Sequence, residues 1–387
     1  MQQTQTRTKQ YLEWPDAARG LSILGVLFLH ATLAVPNGEF SVPAKINAFL
    51  DPMRMPLFFV VSGFLAAKVL HFSMGEVVWK RLWFIAVPYL VWAPIELWLK
   101  YVEWHTFLGD QAPTWDMVFT ATKEGASLLW FLYCLVAVTA FAWATRALST
   151  PLALAASFAP LVFLLYPERP VIIGHVMLYL PIFMIGVRLK DLIAWFAQHA
   201  LHPLGLAITA VAYWVQQTIN HAWQTSWGVD FQGIGIAGLA TLGFDDTELL
   251  VRVVVRILTL PAALTLAVAL TKVPLVFPML RFFGRNTLVL YIGHGFGLTL
   301  LFNYQVLFSG LTFEIGAANP LHNATVWVWA CVAFSLLGGM VFHGISRIPV
   351  VGWSVKPPAV YHRLFPGSGQ LLRDGHTRLL LKYPTSK

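Results

Sequence analysis

Residues 17–35 read AARGLSILGVLFLHATLAV. One guanidinium, Arg19, and one imidazole, His30, stand in a run otherwise made of apolar and small residues. Its length is that of a bilayer crossing, roughly 20 residues. Comparable runs recur at 52–71, 82–99, 127–145, 150–166, 173–188, 204–220, 249–271, 286–308 and 325–346. One more stretch, 231–244 (FQGIGIAGLATLGF), is apolar but short and glycine-rich. Its reading stays open between an eleventh span, a re-entrant segment and an interfacial one. Composition points the same way. Of 387 residues 57% are hydrophobic and 11% charged, where an ordinary soluble domain carries about 25% charge. So little charge does not cover a soluble surface of this size, and a cytosolic enzyme is excluded. The first run contains Arg19, lacks a small-residue cleavage site and is followed by many others, so it is not read as a cleaved signal.

Charge sets the orientation. Lys and Arg number 26 against 18 Asp and Glu, a net +8, but the basic residues are dispersed between apolar runs. That is a topology signal rather than a nucleic-acid patch. With ten spans and the N-terminus inside, the inner segments collect Lys68, Lys80, Arg81, Arg146, Arg188, Lys190, Lys272, Arg281 and Arg285. The outer loops keep only Lys45, Lys100, Lys123 and Arg169, with acids such as Glu103, Asp110, Asp116, Asp245 and Asp246. Counting 231–244 as a span would put the last loops and the tail on opposite sides. The expectation is an all-α polytopic membrane protein of about ten transmembrane helices with both termini cytoplasmic. It divides into a segment 1–16, a membrane domain 17–346 and a basic tail 347–387, the tail suited to anionic lipid.

An ionisable group inside a membrane is a functional hypothesis by default, because it costs roughly 2.5–3.5 kcal/mol on insertion scales. From Arg19 to His30 a helix turns about 1100°, within roughly 20° of three full turns, and rises about 16 Å. Both side chains then share one face, with Ser22 on or near it. A cation at the inner mouth and a titratable ring deeper in one groove suit an anionic cytosolic co-substrate and a proton transfer. A snorkelling Arg with an unrelated packing His fits the spacing equally well. Arg54 enters the second span from the outer side, either to steer an anionic acceptor or to snorkel. Ser62-Gly63 reads as a close helix contact. Glu96 lies at a depth suited to His30. His294 sits about a third of the way up the ninth span, one turn above Tyr291. His175 and the run Gln216-Gln217-Thr218-Ile219-Asn220-His221 either line an outward vestibule or lie at headgroup level. The outer tryptophans, among them Trp104, Trp115, Trp223 and Trp227, read as interfacial anchors or as a sugar-stacking platform. Cys134 and Cys331 sit in apolar runs and support neither a disulfide framework nor a metal cluster. No P-loop, Rossmann fingerprint or H-E-x-x-H occurs, and no metal is assigned.

Taken in order, these motifs resemble a family. R-x10-H in the first span is followed by P-L-F-F-x-x-S-G-F at 56–64 and by Lys80-Arg81 leading into Pro88-Tyr89. Leu129-Trp130-Phe131-Leu132, Tyr179-Leu-Pro-Ile-Phe183, Asn286-Thr-Leu-Val-Leu-Tyr291-Ile-Gly-His294 and a closing Arg347-Ile-Pro-Val complete the series. The set resembles the acyltransferase type 3 family of integral-membrane O-acyltransferases over about 17–350. M-R-M-x-L-F-F is similar to a branch that succinylates glucans, and D-A-A-R-G-L to one that acylates trehalose mycolates. Leu128 stands where the family often has His.

The resemblance implies transfer of an acetyl, sometimes succinyl, group from cytosolic acyl-CoA to a hydroxyl of an envelope saccharide or glycolipid, in a bacterial plasma (inner) membrane. It implies His30 and Arg19 as the essential pair. Arg19, Lys80, Arg81, Arg281 and Arg285 are the expected donor-binding cations. Arg54, Glu96, His175 and His294 are the expected acceptor-side groups. Membrane lipid is an expected partner and nucleic acid is not. The rival reading is a transporter or flippase that uses the same buried groups as a gate. It predicts repeated halves with interrupted helices, which the sequence does not display.

Overall fold

The computed structural model describes residues 12–359, apart from 167, 230 and 237–239. Each apolar run becomes a helix or a pair of helices, bounded by recognisable stops. Helix α1 (Trp14–Ala34) starts with Pro15 in its first turn and ends before Val35-Pro36; Pro at a helix start loses no hydrogen bond. Helix α2 (Val42–Ala66) is capped by Ser41, whose side chain accepts from Ala44 N–H. A short α3 (Met74–Val77), closed by a Ser73/Glu76 capping box, leads through the wider turn Val78–Leu82 into α4 (Trp83–Glu103). Helix α5 (Trp115–Glu124) stops at Gly125, whose φ of 77° is the left-handed value glycine adopts freely. Then come α6 (Trp130–Ala144), α7 (Thr150–Ala156), α8 (Val171–Arg188), α9 (Lys190–His199) and α10 (Pro203–Ala222). The chain closes with α11 (Phe244–Leu258), α12 (Leu260–Leu270), α13 (Val276–Arg285), α14 (Thr287–Leu298) and α15 (Ala324–Ile345).

The described residues of 231–243 are not helical. They form two short antiparallel strands, β1 (Ile234–Ile236) on β2 (Ala240–Leu242), with Ile234 opposite Leu242 and Gly235 opposite Thr241. Glycines at 233, 235 and 243 weaken a helix, while Ile and Thr suit a strand.

The protein is a multi-pass membrane protein. Five helical stretches are long and apolar enough to cross a bilayer: 14–34, 42–71, 74–108, 171–188 and 324–345. A sixth is the pair α11 and α12, bent by 41° at Thr259-Leu260-Pro261. The other expected spans are helical but shorter or more polar. α6 and the stretch 150–165 are apolar yet short, and α10 carries Gln216, Gln217 and Asn220 in its last turns. Contacts between helix ends sort the bundle into two poles. At one, Arg285 meets Asp16, and Arg188 donates to the carbonyls of Thr145 and Leu148. At the other, Glu103 meets Asn303, Asn37 reaches the Phe313 carbonyl and Arg169 pairs with Asp246.

α1 is central, packed on α2, α12, α13, α14 and α15. Small residues let these backbones touch. Gly293 of α14 faces the Gly338 carbonyl of α15, and Gly338 faces that of Gly293. Gly63 of α2 lies on the Phe183 carbonyl and Gly186 of α8, the close contact expected of Ser62-Gly63. Around them Leu27, Phe59, Phe183 and Ile292 are at most 1% exposed.

Residues 1–11 and 360–387 lie outside the described residues, which takes in most of the expected cytoplasmic segment and basic tail. The part of the tail that is described packs back onto the bundle. Val355 is fully buried, and Trp83 donates to the Pro358 carbonyl at 3.1 Å.

Candidate active site

α1 carries a polar stripe from one pole toward the middle of the bundle. At its foot the Arg19 guanidinium binds the Asp16 carboxylate, three residues back, which also accepts from Arg285 Nε at 3.0 Å. Asp16 is 6% exposed, so one buried carboxylate holds two arginines from different helices. One turn above, Ser22 is fully buried, and its hydroxyl has no partner among the described residues. Arg19 Nε is likewise buried without a partner.

At the top of the stripe His30, partly accessible, faces His294 of α14, with ring centroids 5.1 Å apart and planes at 39°. His294 is fully buried, and its Nδ1 lies 2.6 Å from the Tyr291 carbonyl. A carbonyl only accepts, so Nδ1 carries the proton. Nε2 is left with a lone pair and no partner among the described residues. Tyr291 is itself fixed at both sides of its hydroxyl: it donates to the Leu128 carbonyl at 2.6 Å and accepts from Phe131 N–H at 3.3 Å. The start of α6 therefore sets the depth and rotation of His294.

Two cations stand within electrostatic reach of His30, Arg54 and Lys100. Arg54 is 7% exposed. One of its amino groups donates to Asn47 at 2.7 Å and the other to Asp51 at 2.6 Å. Both amino groups are engaged within α2, and the stem of Arg54 lies against Gly25 of α1. Lys100 lies over the Trp104 ring at 4.7 Å.

Glu96 does not hold the His30 imidazole. Its Oε2 accepts from Leu128 N–H at 3.2 Å, so the carboxylate serves the turn that leads into α6. Glu103, 6% exposed, receives the Asn303 amide on both oxygens at 3.0 Å. His175 stacks on Trp130 with centroids 3.8 Å apart.

The expected donor cations divide into two groups. Arg281 and Arg285 line a cavity of about 340 Å³ with Phe277, Pro278, Phe282 and Asn286, and Asp16 links Arg285 to Arg19. Lys80 pairs with Glu76 at 2.7 Å, and Arg81 donates to the Leu65 carbonyl at 2.9 Å. Neither lines that cavity.

At the other pole a cavity of about 1000 Å³ opens between α1, α2, α10 and α11. Gln216, Gln217 and Asn220 line it, whereas His221 and His175 do not. Sequence reading missed three members of these sites. Asp16 was signalled by its place three residues before Arg19. Arg252 and Arg256 on the chamber wall lie inside an apolar run, and only the third dimension gives them a purpose.

No curated protein and no solved structure matches the chain. The model of the acyltransferase domain of the type 3 family matches residues 12–344, nearly all of the described part. With His30 and Arg19 on one face of α1, and that match across the bundle, the chain belongs to the type 3 family of membrane acyltransferases.

Proposed function

We propose that this acyltransferase moves an acetyl or succinyl group from cytosolic acyl-CoA to a hydroxyl of an envelope saccharide or glycolipid, with His30 as general base. The observation that carries the reading is the pairing of His30 with the fully buried His294, at the top of the stripe that begins at Arg19. A neutral His30 takes the proton of the acceptor hydroxyl as its oxygen attacks the thioester carbon. The new C–O bond forms, the C–S bond breaks, and the CoA sulfur leaves with a proton. General-base help of this kind is worth roughly 10²–10⁴-fold. The bare Nε2 of His294 is suited to receive the other N–H of His30 as charge develops, the part an oriented carboxylate plays in a triad. His294 then acts through His30 rather than on the acceptor.

The donor's phosphates fit the cavity at the basic pole. Arg281 and Arg285 supply fork-shaped donors that match phosphate oxygens, and Phe277 and Phe282 offer faces for a base to stack on. Arg19 stands between that cavity and the stripe, so the acyl arm follows α1 toward His30. Lys80 and Arg81, held by Glu76 and the Leu65 carbonyl, contribute charge at longer range. The membrane is that of a bacterial cell, with the basic pole inside.

The test uses membranes from cells that express the chain, given radiolabelled acetyl-CoA or succinyl-CoA. Alkali-labile label should enter envelope glycan from one of the two donors and be absent from membranes without the chain. Label from neither donor would defeat the reading.

A further inference from the structure

The cavity of about 1000 Å³ has a wall unlike the rest of the bundle. Ligand pockets span roughly 300–1,000 Å³, so the space exceeds the needs of one sugar unit. Amides dominate the α10 side, and Tyr213 and Trp223 give it two aromatic surfaces. Gln216 is the informative residue. It is 2% exposed, lies on the cavity wall, and its Oε1 has no partner among the described residues. A buried amide oxygen without a donor is costly. A hydroxyl supplied by a ligand removes that cost.

The charges on the wall balance: Glu39, Asp51 and Glu248 stand against Arg252, Arg256 and, bound to Asp51, Arg54. Arg252 pairs with Glu248 at 2.6 Å, Asp51 pairs with Arg54 at 2.6 Å, and Arg256 donates to the Tyr179 hydroxyl. The described wall therefore carries no excess positive charge to draw an anion in. Arg54 also joins the chamber to the reaction centre. It is bound to Asn47 and Asp51 on the wall, its stem lies on α1 at Gly25, and its charge reaches His30.

We infer that this chamber is the acceptor site, that it takes a neutral oligosaccharide rather than an anionic one, and that Gln216 Oε1 accepts a sugar hydroxyl. The inference rests on the acyl-transfer reading above. Arg54 on this view is a fixed positive post between sugar and base, not a steering group for an anion.

The test reads the acyl content of envelope glycan by mass spectrometry in cells expressing the full chain. Ala48, an exposed wall position, is replaced by Cys and treated with a thiol reagent that does not cross membranes. Cys134 and Cys331 are fully buried, so the unmodified chain is the control. Once the protein mass shows the adduct, acylation by Ala48→Cys should fall at least about tenfold while the control is unchanged. Gln216→Leu should lower acylation by about tenfold and keep CoA protection of the purified protein, which reports folding. After alkaline removal of the acyl group, the glycan should pass an anion exchanger unretained. Full acylation by the labelled Ala48→Cys protein, failure of the reagent to reach it from outside, or a deacylated glycan still held as an anion would each overturn the inference. Absence of acylated glycan from cells with the unmodified chain is a different result, and it would defeat the acyl-transfer reading itself.

Discussion

Asp16 holds two arginines that would otherwise repel each other at the mouth of the stripe. Replacing it by Asn keeps its shape and removes its charge. Arg19 and Arg285 then lose their shared anchor but gain net positive field. Asp16→Asn should bind CoA a few-fold more tightly, yet turn over about tenfold more slowly because the guanidiniums are no longer aimed. Losing hydrogen bonds to a charged group also costs about 1.5–3 kcal/mol of stability, read as a lower melting midpoint. Unchanged affinity and turnover would remove Asp16 from the site. The stripe itself was legible from sequence, because eleven steps bring Arg19 and His30 to one face whatever surrounds the helix. The pairing of His30 with His294 was not, since it depends on α1 meeting α14, which no periodicity encodes. Glu96 shows the same limit: its depth suited His30, but its neighbour proved to be the start of α6.

α14 and α15 meet through reciprocal glycine contacts, so their separation is set by backbone atoms rather than side chains. Adding a side chain at Gly338 forces it into the Gly293 carbonyl and pushes α14 away from its seat, carrying His294 with it. Gly338→Val should cost about 1–3 kcal/mol through overpacking and should also depress acyl transfer. Gly174→Ala is the matched control, because nothing lies within 4 Å of the added carbon. Equal melting midpoints for the two variants would contradict the contact. The runs of apolar residues announced these helices because span length and hydropathy are local properties. The amphipathic helices α5, α9 and α13 were not singled out, since each is only ten residues long. The break between α11 and α12 had its signal in Pro261, while the two strands within 231–244 hid behind an apolar composition.

The two poles differ in chemistry. One gathers Arg281 and Arg285 around a small cavity, and the other opens a large chamber lined with amides. α1 carries polar groups from the first toward the second, and His30 stands beside His294 at the top of that stripe. Net charge and the distribution of basic residues made the polarity legible from sequence. The chamber was glimpsed in Gln216, Gln217 and Asn220, but its other wall is built from residues of α2 and α11 that lie far away along the chain. The decisive experiment is a comparison of His30→Gln with the unmodified chain in inverted membrane vesicles, supplied with labelled acyl-CoA on the basic side. Gln keeps hydrogen-bonding capacity and much of the volume but cannot act as a base. Transfer of label to lumenal saccharide should drop by roughly 10²–10⁴-fold while CoA binding to the vesicles is unchanged. His30→Gln vesicles that transfer label at the unmodified rate would show that His30 only packs the bundle.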